Sequence, residues 1–486
     1  MRRTEPVEVN LADLPASDLV RRTTSGDTTA ADVVEASLER IERRNPGLNA
    51  FSVVLADEAR AEAARLDASL AAGEAPGPLH GVPIAIKEEV DVAGCVTTFG
   101  GRGNSTPAVR DSEVVGRLRR AGAVIIGKTR MPEFGQWPFT ESVDGGITRN
   151  PWDRSRTPGG SSGGTAAAVA AGMVPVGIGG DGGGSIRIPS AYCGLFGLKP
   201  TRGRVTSDPM PHLWWGLGTT GPLTRTVLDS ALVYDVIRGN LGADRFKAAE
   251  PGTSFIAAAG ADPGRLRIGW STVPVTKGVR PAAEHVRAVH ETAAAFAELG
   301  HDVVEIDPAY PDPTAAFIPQ FFGGVRTEAD AMEHFSRLEP RTRQTYRLGG
   351  WVTPSIIEKA MAAGERLAEQ TDRIFTGFPG QEGVDVLLTP TIGPRPRRVG
   401  ALSRGGTISA ALKSRPVVAW TALWNVTGNP AASVPTGIAA DGLPVAVQLV
   451  GRIGDETTLL SLSAQLERAR GWPLLTDAGD AAASSR

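Results

Sequence analysis

The stretch PGGSSGGTAAAVAAGMVPVGIGGDGGGSIRIPSAYCGLFGLKP, residues 158–200, decides how the chain is read. Eleven of the 27 residues from 158 to 184 are glycine, against 59 in all 486, so the backbone itself is in use here. Glycine admits positive φ and lets other groups come close to the main chain. Two serine sites lie inside the glycine clusters, Ser161/Ser162 and Ser185. Between them a short helix-like run, 165–171, leads into an apolar strand-like run, 173–178. The expectation is that both clusters meet at one pocket and that a serine there attacks a carbonyl.

Generic motifs fit this stretch only in part. Residues 177–182 match G-x-G-x-x-G after a strand, but a dinucleotide site also needs a helix opening at once and an acid about 20 residues on. Pro189 argues against that helix, and the next acid is Asp208. A phosphate loop would end in Gly-Lys-Ser/Thr, which is absent. Residues 160–164 match the G-x-S-x-G elbow, which requires an acid and then a histidine downstream. The six histidines are His80, His212, His285, His290, His301 and His334, and none lies near the C-terminus. No histidine or cysteine pair has zinc-ligand spacing, and no metal or cofactor is expected. Serine with lysine remains, an alternative to serine with histidine. An unperturbed lysine is protonated at neutral pH, so a lysine base has to be desolvated. Lys87 ends the apolar run Val82-Pro83-Ile84-Ala85-Ile86 and precedes Glu88, Glu89 and Asp91. That position suits either a structural ion pair or a buried proton carrier.

Working outward, the chain reads as one large α/β unit. Val34, Leu38 and Ile41 set a helix that Thr28 or Thr29 caps and 45–47 stops, and a second helix covers 56–70. An amphipathic helix and then a strand over 123–127 fill 111–129. Residues 131–150 are loop-rich, and 217–239 begin as a Gly/Thr-rich turn before a helix. Residues 248–264 read as a surface connection. Strands are expected over 266–270, 300–306, 384–390, 432–435 and 444–449, and helices over 281–299 and 456–469. Arg395, Arg397 and Arg398 read as a solvated loop, and the tail 476–486 as flexible. In domain terms, 1–75 is a helical region packed on the core and 76–240 is the core with the chemistry. Residues 241–475 complete the same domain, with a helical insertion at about 315–378.

Composition narrows the partners. Lys plus Arg is 51 and Asp plus Glu is 53, a balance that favours neither nucleic acid nor an anionic membrane. The longest low-polarity run, 166–180, is too short and too rich in glycine for a membrane span. Two distant cysteines, Cys95 and Cys193, and no apolar leader in the first residues point to free thiols in the cytoplasm.

With GVPIAIKE upstream, GGSSGG and then DGGGSIRIPSAYCGLFGLKPTRGR, the chain resembles the amidase signature family of serine hydrolases from its early helices to GLPVAVQLVG. The resemblance implies an α/β/α sandwich with a central twisted mixed sheet and an amidase of the linear carbon–nitrogen type. Its substrate would be a small-molecule amide, and homodimers occur in the family. It implies Ser185 as nucleophile, Ser161 as the bridging serine in a cis peptide, 24 residues earlier, and Lys87 as base. N–H groups of Gly182, Gly183, Gly184 and Ser185 would form the oxyanion hole, where one lost donor typically costs about 2.7–4 kcal/mol. Asp181 and Arg187 would hold the loop, with Ser162 structural and Cys193 a packed thiol. Gly180 and Gly182 depart from the family, which often has larger residues there. The acyl pocket would draw on Gly135 to Phe139, on the helices after Ala315 and on the segment before Trp424, with Trp137, Phe321, Phe322 and Trp351 hinting at an apolar acyl group. Two other readings share the resemblance. The glutaminase subunit of a tRNA-dependent amidotransferase carries a Tyr-rich segment, and this chain has four Tyr. A non-catalytic binding protein is opposed by the intact Lys87, Ser161 and Ser185 set.

Overall fold

The computed structural model describes residues 10–475 apart from Phe378. The expected flexible tail, 476–486, lies outside the described residues. Thirteen strands occur among them. In the first half they are β1 (Phe51–Val54), β2 (Pro83–Lys87), β3 (Val124–Thr129), β4 (Glu141–Ser142), β5 (Gly146–Ile147), β6 (Val176–Asp181) and β7 (Phe196–Lys199). The rest are β8 (Thr219–Thr224), β9 (Arg267–Trp270), β10 (Asp302–Glu305), β11 (Val386–Pro390), β12 (Ala431–Ile438) and β13 (Pro444–Val450). Eleven of them form one mixed sheet, ordered β1-β3-β2-β6-β8-β7-β12-β13-β11-β9-β10, with helices on both faces.

The strands at the centre are buried on both sides, which is why they read as nearly continuous apolar runs rather than alternating ones. Their side chains still alternate by face. Ile84 and Ile86 of β2 and Ile125 of β3 enter one core cluster. Ala85, Val124 and Ile126 enter the cluster on the opposite face. There they meet the fully buried helix Gly163–Ala170 and the Ala30–Leu48 helix. That second helix starts in a capping box between Thr29 and Asp32.

Strands β2 and β6 run parallel, with Ile84 beside Val176 and Ile86 beside Ile178. Lys87 and the residues after Ile178 therefore emerge at the same sheet edge. Carboxyl ends of parallel strands are where open α/β sheets place their ligands.

Several expectations are corrected. Residues 219–224 are not a turn but β8, which pairs antiparallel with β6 from Val176↔Thr224 to Asp181↔Thr219 and also with β7. The 30–48 helix is not stopped at residues 45–47: Pro46 lies inside it, and Asn49 ends it in the left-handed conformation. The N-terminal region contributes the edge strand β1 as well as helices. A helix does open after Ser185, Arg187–Cys193, with Pro189 in its first turn. Proline is tolerated there because first-turn N–H groups have no helical acceptor. The 248–264 connection contains the helix Phe255–Gly260. Arg395 is not simply solvated, because its guanidinium forks onto Asp441 at 2.7 and 3.1 Å. Helices Thr314–Asp330, Pro340–Leu348 and Pro354–Thr376 form the layer expected over 315–378. Among the described residues no helix is long and apolar enough to cross a membrane.

Candidate active site

Lys87 is the last residue of β2 and is buried to 1% exposure. Its Nζ donates to Ser161 Oγ at 2.8 Å and lies 3.0 Å from Glu89 Oε1. The ion pair and the serine contact, alternatives in the sequence, are both present. The Gly160–Ser161 peptide is cis, and the Gly163–Ala170 helix begins two residues after Ser161. Ser162 works on the backbone: its Oγ donates to Gly180 O at 3.2 Å and accepts Gly180 N–H at 3.3 Å. That ties the first serine cluster to the end of β6. A second tie runs from Ser162 N–H to Ser185 O at 3.3 Å.

Gly180 explains how Glu89 reaches the lysine. A Cβ on Gly180 would stand 2.1 Å from Glu89 Oε1. The carboxylate occupies the space that a larger residue at 180 would fill.

The loop 182–186 is held by one buried carboxylate. Asp181 accepts N–H groups of Gly184 at 2.7 Å and Ile186 at 3.2 Å. It also takes the Arg187 guanidinium at 2.9 and 3.0 Å and Asn425 Nδ2 at 2.8 Å. Burial alone would raise this carboxyl, but the Arg187 charge and the hydrogen bonds from Arg187 and Asn425 hold it well below the usual carboxylate range. Arg187 continues the network to Thr421 O and Gln448 Oε1. The helix start that a dinucleotide phosphate would need is thus already filled by a side chain.

One assignment changes here. Gly184 N–H is committed to Asp181 and is not free for an oxyanion. Gly184 is needed for its backbone instead: its φ is +127°, and a Cβ would come within 2.5 Å of Thr421 Oγ1. The N–H groups of Gly182, Gly183 and Ser185 have no acceptor among the described residues. These three residues are partly open, while Gly184 is buried.

Lys87, Ser161, Ser185, Gly135, Gly182 and Gly183 line one cavity of about 100 Å³. Its apolar wall is Phe99, Phe134, Trp137, Trp214, Phe317 and Phe321. Trp137 and Phe321 stand where the sequence suggested, with Phe139 stacked behind Trp137. Phe322 and Trp351 do not line it; they pack on each other, and Trp351 is exposed. Phe317 comes from the helices expected there, while Phe99, Phe134 and Trp214 are not among the residues the sequence pointed to, although Leu213-Trp214-Trp215 is a conspicuous aromatic cluster. Val418 brings in the segment before Trp424. No histidine lines the cavity. Cys193 is buried away from it, with Sγ 3.6 Å from Pro158 O and its thiol pushed far up by burial. Among the described residues no group of three or more His, Cys, Asp or Glu could hold a metal ion.

The Amidase family model matches residues 32–460. The chain belongs to the amidase signature family. A Mycobacterium tuberculosis protein that carries the amidase name AmiB2 is 49% identical over 465 residues, 95% of this chain and 97% of that one. The acylamidase of Rhodococcus erythropolis is 34% identical, covering 96% and 97%. Among solved structures, 6-aminohexanoate cyclic dimer hydrolase complexed with substrate superposes with a TM-score of 0.88 and 31% identity, over 96% of this chain and 98% of that one. The chain is thus a hydrolase acting on amide carbon–nitrogen bonds, built on the fold that its signature implied.

Proposed function

We propose that this amidase works through an acyl-enzyme on Ser185, with Ser161 as proton relay and Lys87 as base. The observation that carries the reading is the 2.8 Å hydrogen bond between Lys87 Nζ and Ser161 Oγ in the cavity that Ser185 also lines. With Lys87 neutral, Ser161 passes its proton to Nζ as it takes the Ser185 proton. Ser185 Oγ then bonds to the amide carbon. The carbonyl oxygen becomes an oxyanion that accepts from the free N–H groups of Gly182, Gly183 and Ser185. As the carbon–nitrogen bond breaks, the relay returns the proton to the leaving amine. Water repeats the sequence against the ester and releases the acid.

Glu89 joins this set. Its carboxylate, 3.0 Å from Nζ, balances the charge that Lys87 gains on taking the proton. Asp181 and Arg187 act on the shape of the loop and not on the substrate.

The test is hydrolysis of a panel of aliphatic, aryl and peptide-terminal amides, read as amine release. Ser185→Ala is expected to lose on the order of 10⁴-fold or more in kcat, together with labelling by a fluorophosphonate. Lys87→Ala and Ser161→Ala should fall steeply as well. Wild-type turnover by Ser185→Ala would refute the assignment.

A further inference from the structure

Beyond the catalytic cavity lies a second one of about 340 Å³. The two share a wall made of Glu89, Phe99, Leu213 and Glu328. Four carboxyl residues line the second cavity, Glu89, Asp91, Asp208 and Glu328, and no lysine, arginine or histidine does. Three of the four are already engaged. Glu89 pairs with Lys87, Asp91 accepts Thr97 Oγ1 at 2.5 Å, and Asp208 takes the Arg110 guanidinium at 2.8 and 3.0 Å.

Glu328 is different. It is 4% exposed and lines both cavities, and its carboxyl has no hydrogen-bond or ionic partner among the described residues. A buried carboxyl without a partner is expensive unless it stays protonated or meets a cation. Burial, reinforced by the charge of Glu89, pushes it up to about 8. It therefore holds a proton near neutrality, and a bound cation would take that proton's place.

The helix Thr314–Asp330 shows what leads up to this carboxyl. Phe317, Phe321 and Glu328 recur at helical spacing on one face. The Phe317 ring stands 3.4 Å from where a Gly183 Cβ would be. Glu328 lines the same cavity as these rings and Ser185, so an alkyl chain leaving the scissile amide meets aromatic rings and a carboxyl. Phe99, in the shared wall, adds an aromatic ring, a group that attracts ammonium.

We infer that this end of the site binds a substrate ammonium group, so that the preferred amides carry a primary amine several carbons from the scissile bond. The inference deepens the amide-hydrolase reading and rests on it.

Two matched pairs test it: 5-aminopentanamide against pentanamide, and N-(4-aminobutyl)acetamide against N-butylacetamide. In at least one pair kcat/KM is expected to favour the ammonium member about tenfold or more, chiefly through KM. Glu328→Gln, checked for folding by thermal unfolding, should cut that ratio about tenfold, and Glu328→Asp should keep part of it. Equal or reversed preference in both pairs, or a ratio untouched by Glu328→Gln, would overturn the inference. Binding is measured apart from turnover by calorimetry on Ser185→Ala with both members of each pair. Tighter binding of an ammonium member that Glu328→Gln abolishes supports the inference even if no amide is hydrolysed, in which case it is the hydrolase reading that fails. Equal affinities within both pairs sink it whatever the turnover.

Discussion

Replacing Gly180 by alanine adds one methyl group at the point where Glu89 reaches Lys87. The new Cβ would stand 2.1 Å from Glu89 Oε1 and 3.8 Å from Lys87 Nζ. Real Cβ contacts do not come that close, so one side must move. The backbone is poorly placed to move: Gly180 is paired with Thr220 across β6 and β8, and Ser162 Oγ holds both its N–H and its carbonyl. The φ of Gly180 is not among the positive ones, so alanine brings no backbone strain of its own. The carboxylate is what gives way.

The expected loss is that of one ion-pair contact, comparable with a hydrogen bond to a charged group, about 1.5–3 kcal/mol. On the lysine side that contact is fully buried, so solvent cannot replace it. If the contact matters most when Lys87 carries the transferred proton, kcat falls about 10- to 150-fold. The assay is steady-state hydrolysis of one good amide, with the urea midpoint measured beside it. Glu89→Gln, which keeps the shape and removes the charge, should fall into the same range. The double variant should be no worse than either single one, because both remove the same contact. Wild-type kcat in Gly180→Ala, or multiplying losses in the double variant, would refute the reasoning.

Three further outcomes are expected. Asp181→Asn should lower unfolding stability by about 3–5 kcal/mol, the range for breaking a buried pair, as measured by urea titration. Because the Asp181 carboxyl is held low, its contribution is complete above the ordinary carboxylate range and fades as pH falls below it. Glu133 is buried and pushed up to about 7, so the folded chain keeps a proton that the unfolded chain loses. Its share of the stability should then fall as pH rises from about 4.5 to 7, by at most about 3 kcal/mol, and Glu133→Gln should make that limb shallower by the same share. Finally, iodoacetamide should leave native activity intact, since Cys95 and Cys193 are both buried and both thiols are raised by burial; rapid inactivation would contradict that placement.

Much of the site could be read without coordinates, and the reason is local. Lys87 ends an apolar run, and a strand buried on both faces has to deliver its last side chain to the sheet edge. The glycine clusters marked where the backbone is used. What escaped depends on pairing or on distant partners. Thr219–Thr224, rich in Thr with Gly and Pro, has the composition of a turn and becomes a strand only because β6 and β7 offer it two ladders. Pro189 looked like a helix breaker, but a first-turn position demands no N–H. The engagement of Gly184 with Asp181 follows from a fold-back of three residues that spacing does not announce. Glu328 reads as an ordinary solvent-facing glutamate on an amphipathic helix; its burial comes from where the helix docks.

Gly180 and Glu89 are the most instructive pair, being 91 positions apart and individually unremarkable in sequence. A larger residue at 180 would occupy the space beside the lysine with a side chain from β6. Gly180 leaves that space to a carboxylate that reaches in from the β2 side. The arrangement does more than fill space. It places a negative charge within 3.0 Å of Lys87 Nζ and on the wall that Glu328 shares. The same charge that steadies a protonated lysine also raises the neighbouring acid. One carboxylate thereby ties Lys87 to the Glu328 end of the cavity. A variant that removes Glu89 should act on both, lowering kcat for every amide and, separately, lowering the carboxyl of Glu328 towards its ordinary range.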